Sequence, residues 1–203
     1  MHDSLPPIPP KAHRVGVLLL LFPGLAMAHS ELDAGAGFAA GFLHPLAGID
    51  HVLAMLAVGL WGAQLRGQAL WLLPVVFPLL MTAGAVAGIL GLPLLPIEPG
   101  IVVSVIALGG AIAGQLRPPL PGAIAMVGVF AVFHGYAHGL ELPRTSAALP
   151  YCLGFVIATG LLHLAGIAIG LVTHLPRGAL CLRIGGAAIA LGGIVLAGRL
   201  LAG

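Results

Sequence analysis

Ionisable side chains are sparse in this chain, and two short runs gather several of those able to ligate a metal. The first, His44-Pro45-Leu46-Ala47-Gly48-Ile49-Asp50-His51, sets two imidazoles and a carboxylate inside a long apolar stretch. The second, Phe133-His134-Gly135-Tyr136-Ala137-His138-Gly139-Leu140-Glu141, repeats the combination in a later one. Such groups are costly at membrane depth unless they pair, meet water or bind an ion, so a functional site is the default reading. Imidazole with carboxylate favours borderline first-row divalent ions, and the lack of a thiolate cluster argues against a dedicated Cu(I) site. Two runs of this kind point to one shared transition-metal site.

Spacing sharpens the reading. On a helix, residues four apart share a face and residues seven apart are nearly in line. His134, His138 and Glu141 meet that rule, so two nitrogens and one oxygen can project together. The competing reading is a set of polar residues hydrogen-bonded between helices. His44 and His51 would stand roughly 10 Å apart along an unbroken helix, too far for one ion. A break between Pro45 and Gly48 would shorten that distance. Asp50 either ligates directly or accepts the second ring N–H of a ligand histidine and fixes its tautomer; the sequence leaves both roles open. Met55 can add a thioether, although its ordinary role is packing. His163, one turn from Thr159, suits a supporting or pathway position. His174 reads as interfacial, and Glu31 and Glu98 as solvated carboxylates.

Composition defines what must position these residues. The chain has 203 residues, 60% hydrophobic and only 7% charged, too few polar residues to cover a water-soluble globule, so an all-α, polytopic membrane bundle is expected. Six apolar segments, approximately 37–64, 69–91, 99–116, 121–139, 149–172 and 179–202, are each read as a span, the third marginal. The first carries Pro45 and Gly48 and the second Pro74 and Pro78, so both read as interrupted, with an ordinary tolerated kink equally open for Pro74 and Pro78. The 31 glycines are spread through the apolar runs, with Gly84 and Gly88, Gly110 and Gly114, and Gly166 and Gly170 spaced for close helix packing. Cys152 and Cys181 are isolated and read as small packing residues. A net charge of +2 offers no basic tract for nucleic acid.

Residues 1–28 read as a signal peptide. A weakly basic stretch with Lys11 and Arg14 leads into an apolar run from Val15 to Leu25 and a small-x-small site, Ala26-Met27-Ala28. Cleavage there would make His29 the amino terminus, where a free amine and an imidazole can together capture a divalent ion. Residues 29–203 then form a single integral-membrane domain. Arg66, Arg117, Arg177 and Arg183 fall in or beside the first, third and fifth connections and Arg144 alone in the others, which puts both mature termini on the outer, periplasmic side.

These runs resemble the HupE/UreJ family of nickel and cobalt permeases. The family's His-x5-Asp-His pattern matches His44, Asp50 and His51, and its second motif matches Phe133 through Glu141. The flanks from Gly41 to Trp61, and Ala158 through His163, also look like the family pattern. The resemblance implies secondary uptake of Ni2+, with Co2+ open, across the bacterial inner membrane for metalloenzyme maturation. It implies no resident cofactor: the ion is cargo, and the chain is a transporter and not an enzyme. Membrane lipid is the other partner, and association into a homo-oligomer stays open. No nucleotide-binding Gly-rich loop is present, so ATP hydrolysis by this polypeptide is not expected. The alternative is an intramembrane metal-dependent hydrolase, since the same ligands with an open position could activate water. A haem-binding electron carrier is a third reading, disfavoured by the carboxylates in both runs.

Overall fold

The computed structural model describes residues 37–93, 96–141, 148–171 and 176–202. The expected signal peptide, His29, Glu31, Arg144 and His174 lie outside the described residues. Seven helices make up the regular structure of the rest: α1 (Phe38–Ala47), α2 (Ile49–Leu65), α3 (Ala69–Ile89), α4 (Ile97–Ala113), α5 (Leu120–Glu141), α6 (Ala148–Gly170) and α7 (Gly178–Ala202). Helix is what these apolar runs must adopt in lipid, because it satisfies each segment's N–H and C=O groups internally.

The helices α3, α5, α6 and α7 are long and apolar enough to cross a membrane, and α1 with α2 supplies a fifth span if the bent pair counts as one. The remaining expected span, α4, has only 17 residues. At about 1.5 Å per residue it falls short of a core of roughly 30 Å. The six-span expectation therefore becomes four or five spans and one short apolar helix among the described residues. The interruption expected in the first span is a sharp one: α1 and α2 meet at 83°. Pro45 lies within α1, and Gly48 adopts an extended conformation (φ −89°, ψ 116°), ending one helix and starting the next.

Helix α2 is the hub, packing against α1, α3, α4, α6 and α7. Its residues from Ala57 to Gln64 are buried on every side, as a helix apolar all round must be. Close pairs surround it: α3 with α5, α4 with α7, and α6 with both α1 and α2. Glycine makes these approaches possible. A Cβ on Gly135 would strike the Met81 backbone, one on Gly139 that of Ala85, and one on Gly84 that of Val132. Gly88, Gly166 and Gly170 likewise face a neighbouring helix, but Gly110 has open space around it. At that turn it is Gly109 that meets α7, against Gly186 and Ala190. Leu79, Leu149, Ile184 and Leu191 project outward, where lipid and not water is the solvent. Cys152 and Cys181 are unpaired and exposed on outer faces, a correction to the packing role expected of them.

One end of the bundle carries Arg66, Arg117 and Arg183. Arg66 and Arg117 line a cavity of about 230 Å³ there. The last carbonyls of α4 and its following turn, which have no intrahelical donor, are capped from neighbouring helices. Gln64 Nε2 donates to the Ile112 carbonyl (3.3 Å), Arg183 Nε to that of Ala113 (3.2 Å) and the Trp61 indole to that of Leu116 (3.2 Å). The two histidine runs sit toward the opposite end.

Candidate metal centre

The bend at Gly48 and the end of α5 assemble the site. The seven-residue gap between His44 and His51 no longer separates them, since both rings reach His138. The His44 and His138 ring centroids are 5.0 Å apart, and those of His51 and His138 are 4.4 Å apart. His134, one turn earlier on α5, lies 4.9 Å from His51. The His138 ring is thus common to two groups. Toward the surface, His44 Nε2 is 3.3 Å and His138 Nδ1 3.8 Å from Glu141 Oε2. His44, His138 and Glu141 each offer a ligand atom within 4.8 Å of the others. Further in, His51, His134 and His138 are all buried.

Hydrogen bonds decide which nitrogens of the inner group are free. His51 Nδ1 lies 3.1 Å from Asp50 Oδ1, and an ionised carboxylate can only accept, so Nδ1 carries the proton. That leaves the Nε2 lone pair of His51, which is buried without a partner. Gly48 provides the room for this pair, since a Cβ there would come within 2.8 Å of the carboxylate and 3.0 Å of the ring nitrogen. In the structure Asp50 accepts this hydrogen bond from His51.

Ser104 performs the same service for His134. Its hydroxyl donates to the Ile101 carbonyl at 2.6 Å, and so must accept from His134 Nε2 at 2.8 Å. His134 Nδ1 is then the unprotonated nitrogen, again buried and unpartnered. Two histidines from distant parts of the chain thus carry inward lone pairs, each fixed by its other nitrogen. This is the arrangement metal-binding histidines characteristically have.

Aromatic rings enclose the site. Phe155 stacks edge-on to His138 at 4.4 Å, Tyr151 lies 5.9 Å from His44, and Phe77 lies 5.8 Å from His134. An apolar cavity of about 190 Å³ between α3, α5 and α6 reaches His138. Charge remains at the rim: the Glu141 side chain is 59% exposed and that of Asp50 29%. Asp50 also faces a cavity of about 330 Å³ shared with Glu98 and Arg199.

All six of His44, Asp50, His51, His134, His138 and Glu141 fall in this one region. Met55 and Thr159 are buried outside its ring contacts, and His163, also buried, meets them at Phe77 (5.4 Å). Sequence reasoning overlooked Ser104, although a lone hydroxyl in a 17-residue helix whose other polar side chain is Glu98 in the first turn was a legible signal. Phe155 and Phe77 carried no such signal, because apolar rings are unremarkable in an apolar chain.

Comparison with known proteins agrees with this architecture. The family model described as "HupE / UreJ protein" matches residues 17–196. The Protein HupE of Rhizobium leguminosarum bv. viciae is 42% identical over 177 residues, covering 87% of this chain and 92% of that relative. No solved structure matches. With both histidine runs and nearly every helix inside the matched region, the chain belongs to the HupE/UreJ family of membrane proteins.

Proposed function

We propose that this chain is a permease that takes up Ni2+, with Co2+ as the second candidate ion, across the bacterial inner membrane for metalloenzyme maturation. On this reading His44, Asp50, His51, His134, His138 and Glu141 form its intramembrane site. The observation that carries the proposal is the convergence of four imidazoles from two distant segments, two of them with a hydrogen-bonded nitrogen and a free inward one. A buried polar group without a partner costs about 1–3 kcal/mol. The buried unpartnered nitrogens of His51, His134 and His138 are best explained by a ligand that uses them.

The geometry supports stepwise entry. Exposed Glu141 attracts a hydrated dication to the rim, where His44 and His138 replace some of its water. His138 belongs to both groups, so the ion can exchange His44 and Glu141 for His51 and His134 while keeping one ligand throughout. Two carboxylates near the path offset the ion's charge. On the same reading, residues 1–28 are a cleaved signal and residues 29–203 the transporter domain, with both mature termini periplasmic. Movement is driven by an ion gradient, the membrane potential or a partner protein.

The test is initial-rate flux of radiolabelled Ni2+ and Co2+ into proteoliposomes. Saturable Ni2+ entry that is lost in His138→Ala and Glu141→Gln supports the proposal. Metal-dependent hydrolysis without flux would favour the hydrolase instead.

A further inference from the structure

Deeper in the bundle lies a second group of polar atoms with nothing to hold. His163 is 1% exposed and Thr159 is fully buried, one turn apart on α6. Both ring nitrogens of His163 and the Thr159 hydroxyl lack hydrogen-bond partners. The His163 ring is 5.4 Å from Phe77, whose other neighbour is His134 at 5.8 Å. The Phe77 ring is therefore in contact with both this group and the upper site. Phe77 itself is flanked by Pro74 and Pro78 within α3. Pro78 has no N–H to give to the carbonyl four residues earlier, so the Pro74 carbonyl is released from the helix ladder. That carbonyl faces the His163 ring without a hydrogen bond of regular geometry.

We infer that His163, Thr159 and the Pro74 carbonyl form an inner station for the divalent ion, on the far side of Phe77 from the upper site. The inference rests on the transport reading and extends it. Three observations support a ligand here beyond a buried histidine alone: the unpartnered hydroxyl, the carbonyl released by proline, and the alignment through one ring with His134. In a membrane bundle, irregular backbone and unpaired ionisable groups collect where a polar species passes. The chemistry also fits the position. One imidazole and two neutral oxygens hold a first-row dication more loosely than a site with several imidazoles and a carboxylate. An ion that must leave requires a weaker station after a tighter one.

The experiment uses the full chain in nanodiscs and proteoliposomes, with Ni2+ as the probe in equilibrium dialysis and in flux. The unmodified chain is expected to show a tight and a weaker class of bound Ni2+. His163→Ala and His163→Gln should abolish the weaker class, leave the tight one intact and lower flux at least about tenfold. Thr159→Val, nearly isosteric, should weaken the second class by about tenfold, and it decides the matter if the His163 variants do not insert. Persistence of both classes in these variants overturns the inference, whether flux is unchanged or lost, since flux lost without loss of binding marks a purely structural histidine. His138→Ala separates the two readings. If it removes the tight class while the His163 variants change no binding, only the inner station falls; if neither alters binding, the upper site falls too.

Discussion

Replacing His138 with alanine should uncouple metal binding from stability, and the structure gives the sizes of both effects. The His138 ring is 7% exposed and touches both halves of the site, with centroids 5.0 Å from His44 and 4.4 Å from His51. Both of its nitrogens are buried without hydrogen-bond partners. Truncating a buried ring leaves a cavity costing about 3–5 kcal/mol. Removing unpartnered buried polar atoms returns about 1–3 kcal/mol for each group. The two nearly cancel, so the melting temperature of the metal-free protein should move by only a few degrees. Affinity has no such compensation. Losing even a supporting partner of a ligand lowers metal affinity about 10–100-fold, so losing the shared ligand should cost at least about 100-fold, or about 2.7 kcal/mol. Calorimetric titration of the purified protein with Ni2+, beside a thermal melt without metal, measures both. An unchanged Kd would refute the shared-ligand reasoning. A large fall in melting temperature with a proportionate loss of binding would show that His138 holds the bundle together instead.

Ser104→Ala leaves the His134 Nε2–H without its acceptor, and should reduce Ni2+ affinity about 10–100-fold with little change in the amount of protein inserted; an unaltered isotherm would show that the hydroxyl does not set the His134 tautomer. Gly135→Val drives a side chain into the Met81 backbone, separating α3 from α5, and should destabilise the protein by about 3 kcal/mol or more, read as a lowered melting temperature and reduced yield.

Composition, with the length of the apolar runs, determined that this chain is a helical membrane protein, because continuous apolar segments of about 20 residues satisfy their backbone in lipid as helices. Local spacing determined that His134, His138 and Glu141 share a face of α5, since helical periodicity makes that a property of a single segment. The motif residues also carried the family. Whether His44 and His51 could serve the same centre was beyond spacing, because the answer depends on an 83° bend whose angle is set by the packing of α1 on α6 and of α2 at the hub. The same holds for Asp50, whose role became legible only with the Asp50–His51 hydrogen bond, and for Ser104, whose partner lies 30 positions along the chain. The glycine pairs show the limit most plainly. A small-residue spacing marks a face able to approach another helix, yet Gly110 faces open space while Gly109 makes the contact. Which face is used is a matter of helix rotation, fixed by what all the neighbouring helices bury together and not by any one segment.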